Sequence, residues 1–239
     1  MLEYWLELCE VPSEVSELVR RVGSGELAVV KPNICGLYPP SASLLRAVIA
    51  ELAGRFRRVL VGDSKSTMYE PLKRMKALGY LELVSELGAE AVDLTELNVV
   101  KVPVPKPHAL KAVKLSQLII EADALVNVAK LGPHPSTRIT AALKNLFGLI
   151  AEKYKLLKYH PLGVDKVIAD IAQVANPRLN IVEVKGLIVV SDSPLAADVA
   201  SALLSGYDPR SVKHLRLVAE DLGVSLESLV QDVKRRLNL

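Results

Sequence analysis

Residues 27–33 read Leu-Ala-Val-Val-Lys-Pro-Asn, an apolar run that ends abruptly in a lysine, a proline and an asparagine. A short continuous apolar run closed by turn residues is the pattern of a strand buried on both faces. The loop that follows carries Pro32, Gly36, Pro39 and Pro40, and Ser41 is placed to cap an amphipathic helix running to about Leu52. Arg57–Val61 then repeats the theme as a second strand, ending in Gly62-Asp63-Ser64. Strand, helix and strand in that order predict a right-handed crossover and parallel pairing.

Outward from this unit the alternation continues. A long helical pattern runs to about Leu87 with a break near Gly79, followed by two short apolar runs, Ala91–Leu94 and Val99–Val104. Lys111–Glu121 has helical spacing, Ala124–Val128 (ALVNV) is another buried strand, and Ser136–Ile150 and Val164–Val174 are expected as helices. Leu179–Val184 and Leu187–Val190 read as strands joined at Lys185-Gly186. From Pro194 the chain is helical, interrupted around Tyr207–Pro209 and restarting at Ser225. The fold class expected is α/β, a three-layer, mostly parallel sheet with helices on both faces and a helical C-terminal extension. Residues 1–205 form the α/β domain and 206–239 the extension packed on it.

Composition narrows the function classes. Half of the 239 residues are hydrophobic and only 4% are aromatic, so the core must be mostly Val, Leu, Ile and Ala. A chain of this length buries roughly three quarters of its unfolded surface and needs neither disulfide nor metal to fold. The net charge of +3 is modest, and the basic clusters at 55–58 and 234–236 are short, which argues against a nucleic-acid partner. Cys9 and Cys35 form no CxxC and no paired framework, which points to a reducing compartment and leaves no iron–sulfur cluster held by this chain alone. The acidic start MLEYWLELCE is unlike a signal peptide, and Glu121 and Asp123 interrupt the best apolar run, so a cytoplasmic location without a membrane span is expected. Glutamine occurs only at 117, 173 and 231 beside many Glu, Lys and Arg, a bias pointing to a thermophilic source.

Ligands of parallel sheets gather at the carboxyl ends of the strands, where loops and helix N-termini converge. Three strands here end in polar residues: Lys31-Pro32-Asn33, Gly62-Asp63-Ser64 and Asn127-Val128-Ala129-Lys130. The third is the richest, continuing as NVAKLGPHPSTRITAALKNLFG over 127–148. Pro133 and Pro135 hold His134 extended, and Ser136 or Thr137 is expected to cap the following helix. On that helix Thr137, Thr140 or Ala141, Lys144 and Gly148 would share a small, polar face. Its N-terminus, with Lys130, His134, Arg138 and Lys144, is expected to form a carboxylate or phosphate pocket.

These same segments resemble a known family. Val30-Lys31-Pro32-Asn33, Val61-Gly62-Asp63-Ser64, Asn127…Lys130…His134 and Thr140-Ala-Ala-Leu-Lys144-Asn145-Leu-Phe-Gly148 are similar, in order and spacing, to the domain of unknown function 362 family. The T-x-x-L-K-N-L-F-G block is the most specific part of a likeness covering about 27–205. Ser191-Asp192-Ser193-Pro194-Leu-Ala-Ala-Asp198 resembles that family's aspartate-rich helix start. The resemblance implies reductive or electron-coupled chemistry, because many members look like fusions to ferredoxin-type iron–sulfur modules. This chain lacks such a module, so an external ferredoxin or other redox partner is implied. After Val184, where members usually carry an aspartate and a glycine-rich loop, this chain has Glu183 and passes straight through Lys185-Gly186. A missing loop there can remove a lid or part of a pocket.

The residue roles expected are these. Lys31, Lys130 and Lys144 hold a small anionic metabolite, Asn33, Asn127 and Asn145 orient it, and His134 with Asp63 handles protons. Lys144 is counted with His134 and Asp63 among the catalytic groups, while Ser64, Thr137, Thr140, His160 and Asp198 complete the ligand-binding set. Asp192 is expected to cap the helix at Pro194, Cys35 to be an inert thiol and His214 to lie on the surface. No zinc motif, Rossmann glycine motif or P-loop occurs, so no resident cofactor is expected. Two further readings stay open: a non-catalytic binding or accessory subunit of a redox complex, and a metal-dependent enzyme using His134, His160 and Asp63 or a weak divalent metal.

Overall fold

The computed structural model describes residues 2–239. Eleven strands lie among them: β1 Leu6–Cys9, β2 Gly25–Pro32, β3 Phe56–Asp63, β4 Glu90–Asp93, β5 Val99–Pro103, β6 Ala112–Ser116, β7 Ala124–Lys130, β8 Gly132–His134, β9 Arg138–Thr140, β10 Leu179–Val184 and β11 Leu187–Ser191. Seven of them form one sheet in the order β1-β11-β10-β7-β2-β3-β4. The five strands from β10 to β4 run parallel, and β11 and β1 add an antiparallel edge. The mostly parallel α/β class is therefore established, with an antiparallel hairpin at one side. That hairpin turns on Lys185 and Gly186, both at positive φ (47° and 82°), the geometry that matches the twist of the flanking strands.

Each strand divides its side chains between two cores. On one face Val29, Leu60, Leu125, Ala129 and Val182 pack against the later helices. On the other, Ala28, Val30, Val59, Val61, Val126, Val128 and Ile181 pack against the helices Pro12–Val19 and Ala42–Ala53 and the pair Pro71–Ala77 and Tyr80–Glu86. The helix Ala42–Ala53 presents Leu44, Leu45, Val48, Ile49 and Leu52 as one buried stripe, and Ser41 caps it by accepting from the Leu44 amide at 3.2 Å. The helix Pro194–Leu204 buries Ala196, Ala197, Ala200, Ser201 and Ala202, whose small side chains let it lie close to its neighbours. The final helix, Leu226–Leu237, places Leu229, Val230 and Val233 in the same core as Val29. It is also tied to the N-terminal segment by Tyr4 Oη donating to Asp232 at 2.6 Å.

Chain order fixes where a crevice opens. From β2 the chain moves outward to β3 and β4, whereas β7 leads the other way to β10 and β11. The adjacent pair β2–β7 is thus a topological switch point, where neighbouring loops leave on opposite sides of the sheet.

Several sequence expectations are corrected. Residues 136–150 are not one helix: Arg138–Thr140 pairs with Gly132–His134 as a small hairpin, Arg138 lies at φ 64°, and helix is confined to Ala142–Leu146 and one 3₁₀ turn at Phe147–Leu149. Thr137, Ile139 and Thr140 are β-branched and better suited to extended backbone, and this outweighed the helical spacing of the polar residues. Lys111–Glu121 is likewise divided, because the alternation of buried Val113 and Leu115 makes Ala112–Ser116 a strand paired with Val99–Pro103. Only Gln117–Glu121 is helical there. The helical pattern expected to follow Gly62-Asp63-Ser64 begins only at Pro71. Ser193, not Asp192, caps the helix at Pro194, while Asp192 accepts the Trp5 amide at 3.0 Å and anchors the edge strand β1, which the acidic N-terminus did not suggest.

Gly62 reads out the tightness of this sheet, since a Cβ there would collide with the backbone oxygen of Val92 on β4. Gly62→Ala should lower stability by about 1–3 kcal/mol in urea denaturation. A cost below about 0.5 kcal/mol would show that β4 can yield.

Candidate active site

The centre of the site is a lysine with no exposed surface. Lys31 ends β2, and its ammonium donates to Asn145 Oδ1 at 2.7 Å, pairs with Asp63 Oδ1 at 3.0 Å and donates to Pro32 O at 3.1 Å. Three N–H bonds meet three acceptors, which is what an ammonium needs to be tolerated away from water. Register sets its neighbours. Lys31 lies opposite Asn127 on β7, Asn127 opposite Asn180 on β10, and Asn180 opposite Ser191 on β11. These residues form a polar row across four strands of an otherwise apolar face.

Buried amides connect the row. Asn145 Nδ2 donates to Lys31 O, Asn127 Oδ1 and Val128 O at 3.0, 2.8 and 3.2 Å. Asn127 Nδ2 donates to Ala142 O at 3.0 Å and Asn180 Oδ1 at 2.9 Å. The short helix Ala142–Leu146 is thereby stitched onto the ends of β2, β7 and β10.

Asp63, at the end of β3, has its carboxylate as fully occupied as the Lys31 ammonium. Besides the ion pair it accepts from the amides of Ile34, Cys35 and Ser64 at 3.1, 2.9 and 2.8 Å. Ser64 Oγ donates to Gly148 O and accepts from the ammonium of Lys155, a buried residue of the helix Lys155–Tyr159. Gly148 has no freedom to carry a side chain, because a Cβ would meet the Asp63 carboxylate and lie 2.6 Å from Lys31 Nζ.

The start of the helix at Ala142 is filled from within the protein. Asp198, fully buried on the helix Pro194–Leu204, accepts from the amides of Ala142 and Leu143 at 2.6 and 3.2 Å. This corrects the expected anion pocket at a helix N-terminus: the helix starts six residues later than Ser136, and a side-chain carboxyl of the chain itself takes its free N–H groups. Burial pushes the Asp198 carboxyl up to about 8, against the lowering effect of those two amides. Nearby His214, expected on the surface, is completely buried. Its Nδ1 bonds Asp165 at 2.8 Å, while Nε2 stands 4.0 Å from Asp198, beyond hydrogen-bond range, without another partner.

Beside the network is a cavity of about 310 Å³. Lys31, Asn33, Asp63, Ser64, His134, Thr140, Lys144, Asn145 and His160 line it, so the ends of β2 and β3, the small hairpin and the helix at Ala142 do converge on one space. Lys155 and Cys35 line it as well. Asn127, Lys130, Thr137 and Asp198 do not. Asn127 and Asp198 bond beneath the helix, Thr137 buttresses His134 Nδ1 at 3.0 Å, and Lys130 is half-exposed, 3.9 Å from Glu183.

The electrostatics of the cavity are one-sided. Asp63 is the one carboxylate among the described lining residues, and Lys31 takes its charge. Lys144 has its ammonium 4.8 Å above the Phe147 ring. Burial, then the charge of Lys31, brings Lys144 down to about 8. Burial outweighs the opposing effect of Asp63 to bring Lys155 to about 8 too. His134 is lowered to about 4 by burial and then by Lys144 and His160, and His160 is lowered by burial and Lys144. Ser136 N and Thr137 Oγ1 both engage His134 Nδ1, leaving Nε2 as its remaining ring nitrogen. Burial and the charge of Asp63 push the Cys35 thiol up to about 12, so it is no nucleophile at neutral pH. Although His134, His160 and Asp63 share the cavity, no group of three or more His, Cys, Asp or Glu among the described residues is disposed to hold a metal ion.

Sequence reasoning missed Lys155, Asn180 and the Asp165–His214 pair. Asn180 carried a usable signal, a lone amide inside the apolar strand LNIVEV. Lys155 carried none, because it sits among Lys153 and Lys158, which are half-exposed.

Residues 28–184 match the model of the family described as Domain of unknown function (DUF362). The matched span stops at Val184, so Asp192 and Asp198, expected within a likeness reaching 205, lie outside it. No curated protein matches the chain. Among solved structures, the lactate racemase apoprotein from Thermoanaerobacterium thermosaccharolyticum is similar at 14% identity and a TM-score of 0.43, covering 74% of this chain and 50% of that one. The chain thus spans half the length of that structure. Among the described residues no helix is long and apolar enough to cross a membrane.

Two measurements test the network. Lys31→Met strands the Asp63 carboxylate and the Asn145 carbonyl, and should cost about 3–5 kcal/mol in urea denaturation at pH 7. A loss under about 1 kcal/mol would mean the pair is dispensable. For Asp198 the folded pKa lies above the unfolded value of 3.8, so the folded state keeps a proton that the unfolded state releases. Its stabilising contribution is full below about pH 4 and is lost as pH rises through about 8. Asp198→Asn, which does not titrate, should therefore gain on the parent from about pH 5 to 8, by at most about 1.4 kcal/mol per pH unit. Parallel stability curves for the two proteins would count against a raised carboxyl.

Proposed function

The chain belongs to the domain of unknown function 362 family, and we propose that it is an enzyme that binds a small anionic metabolite in the cavity beside β2 and β3 and moves protons on it. The observation that carries this reading is the charge balance: three lysines line the cavity against one carboxylate, and that carboxylate is already paired. An ammonium in a desolvated site without a counter-charge is costly, and a bound anion relieves the cost. Lys144 and Lys155 are the groups that would hold it.

Roles follow from which hydrogen bonds are already spent. Lys31, Asp63, Asn127 and Asn145 use theirs on one another, which suits positioning rather than proton transfer. His134 is neutral at pH 7, and because its Nδ1 accepts from the Ser136 amide its proton sits on Nε2, which suits a hydrogen-bond donor to the bound anion. Lys144 near 8 can give up and take back a proton close to neutral pH while also holding charge, which makes it the group for proton transfer. Positioned donors facing one bound anion in a partly dry site are what acid–base catalysis requires.

The pH dependence has a definite sign. Because Lys144 and Lys155 have pKa values brought down to about 8, both are charged below that pH and lose charge above it. Thermal stabilisation by inorganic phosphate should hold up to about pH 7.5 and fall steeply between about 8 and 9.5. Lys144→Arg should keep binding to higher pH, since a guanidinium stays charged, and Lys144→Met should weaken it at least tenfold. If Lys144→Met and His134→Ala both leave anion-induced stabilisation unchanged, the placement is wrong.

A further inference from the structure

The cavity has a second chemical character besides its lysines. Leu37, Met68 and Leu156 also line it, and they are 50%, 66% and 41% exposed. Lone exposed apolar side chains are ordinary on any protein surface. Three on one cavity, from three separate segments, are a patch. Leu37 comes from the loop after β2, Met68 from the loop after β3 and Leu156 from the helix Lys155–Tyr159. The charged groups are deeper: Lys31 is completely buried and Lys155 is 5% exposed. A site for a bare inorganic ion needs donors alone. A cationic interior with an apolar entrance suits a ligand that is itself divided.

We propose that the cavity takes an organic anion, its phosphate or carboxylate group at Lys144 and Lys155 and an apolar body lying against Leu37, Met68 and Leu156. This rests on the anion reading above and names the class of ligand. The volume of about 310 Å³ is at the small end for ligand pockets, so the body is of aryl or short alkyl size rather than a long acyl chain or a dinucleotide. The apolar part supplies affinity and the lysines supply orientation, the division usual in metabolite sites.

Four probes on the full-length protein, measured by calorimetry at pH 7, decide it: inorganic phosphate, phenyl phosphate, phenylacetate and benzyl alcohol. Phenyl phosphate should bind roughly 10- to 100-fold tighter than inorganic phosphate, the gain expected from burying one ring. Benzyl alcohol, lacking the charge, should bind at least tenfold more weakly than phenylacetate. Whichever of phenyl phosphate and phenylacetate is tighter identifies the headgroup, and either supports the proposal. The double variant Leu37→Ser/Met68→Ser removes only exposed side chains, and should erase most of the phenyl advantage while leaving inorganic phosphate affinity within twofold. Equal affinities for phenyl and inorganic phosphate in the parent protein would overturn the apolar body yet leave the anion site standing. Failure of both phosphates and of phenylacetate to bind would overturn the anion site itself.

Discussion

An ammonium buried at the tip of the second strand is the constraint on which the rest of the site depends. Removing Lys31 from water costs several kcal/mol, and only a full set of acceptors offsets it. Those acceptors come from three places: Asp63 on β3, Asn145 on the short helix and the carbonyl of Pro32. Each side-chain acceptor is itself fixed by further bonds, Asp63 by three backbone amides and Asn145 by two strands. One charge thus specifies how two strand ends and a helix meet. Gly148 completes the arrangement by passing close over the pair with no side chain in the way.

That arrangement explains why the cavity is where it is. The β2–β7 switch point sends loops to opposite sides, and the Lys31–Asn127–Asn180 row seals the sheet beneath the gap. With its floor made of groups already bonded to one another, the cavity draws its adaptable charges from later in the chain, on Lys144 and Lys155. The division of labour is physical: the groups with every hydrogen bond spent hold geometry, and those with bonds to spare are the ones proposed to meet a ligand.

Much of this was legible in the sequence, and the illegible parts have specific causes. Strands such as LAVVK and ALVNV announce themselves because parallel strands are apolar on both faces, and the polar endings Lys31–Asn33 and Asp63–Ser64 marked the rim of the cavity, whereas that of ALVNV went into the network beneath it. Asn145, Lys144 and His134 were located through the dense segment 127–148, but its helix was extended too far. Spacing of three and four residues does not distinguish a helix from a hairpin when the residues are Thr and Ile and the prolines precede them. The burial of His214 could not be read locally, since its cause is Asp165 at the start of another helix. Lys155 was hidden for the same reason, because its partner Ser64 lies 91 residues away.

The filled helix start changes what kind of anion site is proposed here. A free helix N-terminus would attract any small anion through backbone N–H groups, with little dependence on which side chains surround it. Here Asp198 occupies that position from the far side of the helix, so the backbone's positive end is spent inside the fold. What remains for a ligand is side-chain charge on lysines brought near pH 8 by burial, and such charge can be lost to a proton acceptor as backbone dipoles cannot. In the reading proposed above, the same lysines hold the anion and exchange protons with it, which is why a catalytic proposal suits this geometry better than simple capture.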